Sequence, residues 1–320
     1  SSPESVQLKM NPDGSCHVRV FAPHWGNSPE TMATQLAAET LSIDPDRISV
    51  SYGSTDSGLI SKGPVGSRYT VMLAGAIAGA SRQLRQKLLR FAAHILESQE
   101  DALTILDERI FVASEPSRSV SFAEVARAAH SFRLSFPAGE DFGSGLSAQY
   151  TYDHPYTTLP KADKSDLGVF YPIVGHACHI VVLEIDEQTD KIQILKYVAV
   201  HDAGTLVNPR TVEGQIRGGI AQGIGTALYE KYRYDEDGQL LTASLADYAI
   251  PTAHEIPEII VDHIETPSPF TEFGIKGCGE GGRLACMPAV ASAIDDAFRD
   301  TGLFVAELPV TPSELHRIRS

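Results

Sequence analysis

Lys276-Gly277-Cys278-Gly279-Glu280-Gly281-Gly282 sets one carboxylate among four glycines near the C-terminus. Glycines on both sides of Glu280 let the backbone approach a second body closely. The run Val290, Ile294, Ala297, Phe298 that follows has the spacing of a packed helical face, and it predicts a helix beginning near Pro288. The carboxylate is therefore expected where chain meets ligand, not on a solvated face.

Other residue types narrow the chemistry. Cys16, Cys178, Cys278 and Cys286 are scattered without a C-x-x-C pair, so neither a zinc site nor an iron-sulfur cluster is read from them. Reduced thiols in a cytoplasmic protein are the plain interpretation. His176 and His179 have an odd spacing that places them on opposite faces of an extended segment, so a structural or pocket role is preferred to a metal pair. Tyr156, Phe170 and Tyr171 suit the wall of a pocket for a flat ring, but an ordinary core is the preferred reading of each. Asp295 and Asp296 read as exposed helix residues. The formal net charge of -15 argues against nucleic acid and against an anionic membrane surface, both of which need basic patches. The most apolar helical stretch, residues 71–80, is too short to span a bilayer, and Ser1 opens no signal-peptide pattern.

The elements that must position these residues begin with a hairpin, strands 6–10 and 17–21 joined through Asn11-Pro12-Asp13-Gly14. A strand pair at the very start suggests that upstream residues or another polypeptide complete its sheet. Ser28-Pro29-Glu30 supplies a cap, a proline and an acid for a helix over 29–41, followed by a strand at 48–52. Residues 69–98 read as a helix, slim where Ala74, Gly75, Ala76, Ala78, Gly79 and Ala80 fall, and 122–129 as a short one. The Gly-, Ser-, Pro- and Tyr-rich stretch 137–165 marks a boundary between two lobes, 1–136 and 137–320. Strands at 180–185 and 192–200 form a second hairpin. Residues 211–230 read as a helix despite Gly214, Gly218, Gly219, Gly223 and Gly225. Five such glycines cost roughly 4 to 5 kcal/mol relative to alanine. Close approach of another helix would account for them, and so would close approach of a large ligand.

Three motifs stand in one order: Gly53-Ser54-Thr55-Asp56 with Gly66-Ser67-Arg68; Asp202 to Asn208-Pro209 with Gly214-Gln215 and Gln222-Gly223; and the stretch ending at Gly282. With Asp247-Tyr248, Pro251 and Glu265-Thr266-Pro267, they resemble the molybdenum-binding subunit of the xanthine dehydrogenase, aldehyde oxidase and aerobic carbon monoxide dehydrogenase family. The likeness covers nearly the whole chain but begins midway through the usual large subunit, near His24-Trp25-Gly26-Asn27. It implies an α+β fold with two lobes of mixed sheet and flanking helices. It also implies a split large subunit or a fragment, whose first lobe is completed by a partner chain carrying the N-terminal half of the unit.

The family's mechanism gives Glu280 the part of general base in oxidising an electron-poor carbon of an aromatic N-heterocycle or aldehyde, with water as the oxygen source. Electrons then pass to 2Fe-2S and FAD centres, expected here on separate iron-sulfur and flavin subunits. Molybdenum is held by molybdopterin, here expected as the cytosine dinucleotide, so the protein needs no metal ligands of its own. By motif position, Gly66, Ser67, Arg68 and Thr70 are implied as cofactor contacts, with Gln215, Gln222, Lys276, Gly277, Cys278 and Gly279. Gly26 and Asn27 join them, although Gly26-Asn27-Ser28 stands where most relatives carry Gly-Gln-Gly and the amide is shorter. Cys278 replaces a commonly aliphatic residue and is expected to be an apolar filler. Two other readings are a non-catalytic half-subunit needed for assembly and a carbon monoxide dehydrogenase-like subunit.

Overall fold

The computed structural model describes residues 2–22, 24–57, 60–131, 136, 145–169 and 171–320. The chain divides into two compact units, Ser1–Val174 with Ser268–Gly277, and Gly175–Pro267 with Cys278–Ser320. Residues 145–169 and 171–174 thus belong with the first unit, where the sequence had placed them in the second lobe. Phe170 and residues 137–144 of the expected boundary lie outside the described residues.

Unit 1 is built on the sheet order β3-β2-β1-β7. Strands β1 (Glu4–Met10) and β2 (Cys16–Val20) form the expected hairpin, and β3 (Ile48–Tyr52) joins β2 in parallel. The other side of β1 is taken by β7 (Ser147–Tyr152), in antiparallel register from Glu4 opposite Tyr152 to Lys9 opposite Ser147. The hairpin is thus flanked on both sides by strands of this chain, and β3 and β7 form the edges of the sheet. Helices α1 (Pro29–Leu41) and α2 (Tyr69–Ile95) cover the sheet, burying Leu36, Met72, Ile77 and Leu84 against Val6, Leu8, Val18 and Val20. The slim stretch of α2 has a specific occupant. A methyl at Gly75 would lie 2.5 Å from the Tyr152 ring, and one at Gly79 would lie 2.3 Å from the Tyr150 ring. The region after α2 holds a second sheet that the sequence did not reveal, β4 (Leu103–Leu106), β5 (Arg109–Val112) and β6 (Glu115–Ser121), leading into α3 (Phe122–Ser131).

Unit 2 carries the sheet order β10-β9-β8. Strands β8 (His176–Ile185) and β9 (Ile192–Asp202) are the second hairpin, and β10 (Ile259–His263) runs parallel to β9. Helices α4 (Pro209–Leu228) and α5 (Gly281–Ala297) supply Ile216, Ile220, Ile224, Cys286, Val290 and Ile294 to a core shared with Tyr197 and Ala199 of β9. Asn208 caps α4, its Oδ1 accepting from Thr211 N at 3.0 Å, and α6 (Pro312–Arg319) ends the chain. Asp202 accepts from Gly204 N at 2.9 Å and from the Thr266 hydroxyl, so this motif residue ties β9 to the loop after β10. Asp295 is half-buried and accepts from Val305 N at 2.7 Å, whereas Asp296 is exposed. Among the described residues no helix is long and apolar enough to cross a membrane.

Candidate active site

Glu280 occupies the N-cap of α5, which begins at Gly281 and contains Pro288, instead of beginning near it. The side chain is exposed and makes no capping bond to its own helix. The turn carrying it is closed by Gly281 N donating to Cys278 O at 3.0 Å. One residue further, Gly282 is buried against α4: a methyl there would lie 2.4 Å from the Ile216 carbonyl oxygen. A methyl at Gly219 would in turn lie 2.9 Å from Arg283 N, and one at Gly223 would lie 2.4 Å from Cys286 Cβ. Three glycines therefore let the backbones of α4 and α5 touch, fixing the start of α5 and the carboxylate just ahead of it.

The same contacts divide the glycines of α4 into two classes. Gly219 and Gly223 face α5, and Gly225 lies against Glu230 and Pro251. Gly214 and Gly218 are exposed, and nothing among the described residues lies within 4 Å of a methyl built on either. Half-buried Gln215 and exposed Gln222 are separated by seven positions on this helix, close to two full turns, which puts them on one face. Helix packing explains the first class. The second class flanks the two amides that sequence analysis assigned to the cofactor.

Unit 1 assembles the other half of the candidate residues. Gly66 and Ser67 both have positive φ, 67° and 55°, in the tight turn before α2. Gly277 packs on that turn: a methyl at Gly277 would lie 2.7 Å from Ser67 O, and its N–H donates to Ile173 O at 2.9 Å. Tyr171 stands 3.5 Å from a methyl placed on Gly66. Half-buried Lys276 precedes this contact. The N-cap residue Arg68 makes no side-chain cap bond to α2, and N–H groups at a helix start suit an anion.

Some predicted contacts have other employment. The Arg68 side chain is buried, with Nη1 donating to Glu4 Oε2 and to Gly63 O, both at 2.9 Å, and Nη2 donating to Ser2 O and Pro3 O. Glu4 is fully buried, and that burial outweighs the Ser61 and Arg68 contacts to push its carboxyl up to about 7. The Arg68 guanidinium is thus internal to unit 1, and only its backbone remains a candidate for ligand contact. Thr70 donates its hydroxyl to Met32 Sδ at 2.9 Å. Gly26 is exposed with φ 79°, and Asn27 accepts from Trp25 N at 3.1 Å. Ser28 follows in the left-handed region, at φ 52°. Cys278 is half-buried, its thiol pushed up to about 11 by burial, in keeping with a filler role.

Under the Glu280 turn lies a polar chain that the sequence did not announce. His179 Nδ1 is 2.8 Å from the Tyr197 hydroxyl, and His179 Nε2 is 2.8 Å from His201 Nε2. Tyr197 is fully buried, and His201 is nearly so. Burial pulls His179 down to about 4, with His201 adding to the effect. Burial likewise pulls His201 down to about 4, with a contribution from His263. Both imidazoles are neutral at physiological pH. Among the described residues no group of three or more His, Cys, Asp or Glu is arranged to hold a metal ion.

Residues 1–257 match the model of the molybdopterin cofactor-binding domain. The chain is 35% identical over 314 residues to the nicotine 6-hydroxylase large subunit of Paenarthrobacter nicotinovorans, covering 98% of this chain and 36% of that one. It is 32% identical to the carbon monoxide dehydrogenase large chain of Hydrogenophaga pseudoflava, covering 96% and 36%. Among solved structures, quinoline 2-oxidoreductase from Pseudomonas putida 86 superposes with a TM-score of 0.86 at 35% identity, over 100% of this chain and 38% of that one. The chain therefore spans a little over a third of the length of these relatives. The fold is that of their molybdopterin-binding part, and the chain belongs to the molybdopterin cofactor-binding family, that of the molybdenum-binding large subunits of xanthine and carbon monoxide dehydrogenases.

Proposed function

We propose that this chain is the base-carrying portion of a molybdenum hydroxylase acting on an electron-poor carbon of an aromatic N-heterocycle or aldehyde. The observation that carries the proposal is the setting of Glu280: an exposed carboxylate at a helix N-cap, next to a backbone pinned to α4 through Gly282 and Gly219. A general base must be held in place within reach of its proton. Glu280 accepts the proton released as a water-derived oxygen attacks the substrate carbon.

The residues present fit molybdopterin. In unit 1, the N–H groups at the start of α2 and the paired positive-φ residues Gly66 and Ser67, with Gly277 beside them, support binding of anionic oxygens. In unit 2, the bare surface at Gly214 and Gly218 beside Gln215 and Gln222 admits a bulky group against the helix backbone. When bound, the cofactor supplies the two-electron redox centre. The cytosine dinucleotide form, a partner carrying the remainder of the molybdenum-binding unit, and iron-sulfur and flavin subunits complete the proposal. A cytoplasmic setting goes with it.

The test is Glu280→Gln in the assembled, molybdenum-loaded complex. Turnover is expected to fall by about 10²- to 10⁴-fold with molybdenum content unchanged. Undiminished turnover would mean that the chain completes the assembly without doing chemistry.

A further inference from the structure

With Glu280 taken as the base, we propose that His201 is a positioning residue for the turn that carries it, set in place by a directional hydrogen-bond chain running Tyr197–His179–His201. The direction follows from donor and acceptor chemistry. Cys286 Sγ donates to Ile220 O at 3.5 Å. The single Tyr197 hydroxyl proton then goes to His179 Nδ1, because an imidazole nitrogen is a far better acceptor than a sulfur. His179, neutral, carries its own proton on Nε2 and donates it to His201 Nε2. His201, also neutral, is left with its proton on Nδ1.

That edge of the ring faces the turn. A methyl on Gly281 would lie 3.1 Å from His201 Cε1 and 3.2 Å from Nδ1, so the imidazole fills the space beneath the residue after Glu280. His201 is faced by His179 from β8 and His263 from β10, and Tyr197 of its own strand β9 reaches it through His179. Cys286 of α5 stands behind Tyr197. A charged imidazole here would present two donors to its neighbours and break the chain. Burial keeps it neutral, and the turn gains a rigid floor that carries no net charge toward the Glu280 carboxylate.

The experiment compares His201→Ala, Tyr197→Phe and Glu280→Gln in the assembled, molybdenum-loaded complex. It reads hydrogen–deuterium exchange over residues 276–284 beside steady-state kinetics. For His201→Ala the expectation is amide exchange in that segment faster by about tenfold, with exchange in α4 unchanged. Its kcat falls by about 10- to 100-fold while KM stays within about twofold. Tyr197→Phe changes both in the same direction and by less. Unchanged exchange at 276–284, or acceleration spread equally through α4, would overturn the inference, as would an intact kcat in His201→Ala when Glu280→Gln has lost its activity. Full activity in Glu280→Gln, with the exchange pattern as expected, would remove Glu280 as base and leave His201 as support of the turn.

Discussion

Gly277 lies so close to Ser67 that a methyl on its α-carbon would stand 2.7 Å from the Ser67 carbonyl oxygen and 3.1 Å from Ser67 Cβ. Two motifs far apart in sequence are thereby one surface of unit 1. The Gly66-Ser67 turn needs Gly277 as its neighbour, because an added side chain would meet backbone, which cannot swing aside. Gly277→Ala is expected to cost about 1–3 kcal/mol. Urea denaturation of the purified complex followed at Tyr152 and Tyr150, or a thermal melt, measures it.

The two classes of glycine in α4 predict opposite signs for one chemical change. Gly218→Ala adds a methyl to open space and is expected to stabilise the helix by about 0.5–1 kcal/mol. Gly223→Ala drives a methyl into Cys286 and is expected to destabilise by about 1–3 kcal/mol. Denaturant midpoints give both values. Molybdenum and pterin analysis of Gly218→Ala then tests the ligand side: higher stability with lower cofactor occupancy is the expected pair.

The buried pair of Arg68 and Glu4 predicts loss of fold when one partner is removed. Arg68→Met leaves Glu4 buried opposite no cation and is expected to cost about 3–5 kcal/mol. Arg68→Met combined with Glu4→Met should recover most of that loss. If Arg68 served the cofactor through its side chain, the double variant would fold yet bind no molybdopterin, so cofactor content of the double variant checks the assignment.

The neutral histidines set an acid limit on unit 2. His179 and His201 have folded pKa values of about 4 against an ordinary 6.5, so the unfolded chain binds more protons between those values. Their contribution is present above pH 6.5 and is lost as pH falls toward 4. Glu4 acts in the other sense in unit 1: its pKa is raised from 4.5 to about 7, so its contribution is full below pH 4.5 and is lost as pH rises through 7. Melting temperatures across this range should fall on the acid side, and the acid slope should flatten in the His179→Gln/His201→Gln variant.

Local signals made much of the fold legible. The bounds expected for α1 and β3 match residue for residue, with Pro29 opening α1, although Ser28 makes no side-chain cap bond there. The strands β4 to β6 escaped notice because two are only four residues long and β6 begins with four exposed polar or proline positions, so no alternation is visible. Strand β7 was hidden in a stretch read as linker, and its partner β1 lies far away in sequence. Helix α6 was not anticipated, although Thr311 caps it by accepting from Glu314 N and Pro312 follows, a start written in Thr311-Pro312-Ser313-Glu314. Glu280 stands out as a candidate in the sequence because glycines on both sides are unusual. His201 does not, since a histidine in an apolar strand reads as core and its partner His179 lies on another strand. Expecting α5 near Pro288 followed the rule that proline opens helices, but this proline sits inside one, where α4 packing holds the preceding turns.

The division of the chain at Val174–Gly175, Pro267–Ser268 and Gly277–Cys278 has a consequence for how such a protein can diversify. Neither unit is encoded by an uninterrupted stretch, so no single crossover in a gene exchanges one for a homologous copy. One of the three seams falls inside the heptapeptide that carries Glu280. Recombination at that seam would join a Gly277 fitted to one turn with a Glu280 fitted to another floor. A single crossover at that seam therefore parts the heptapeptide into two halves, each held by its own unit.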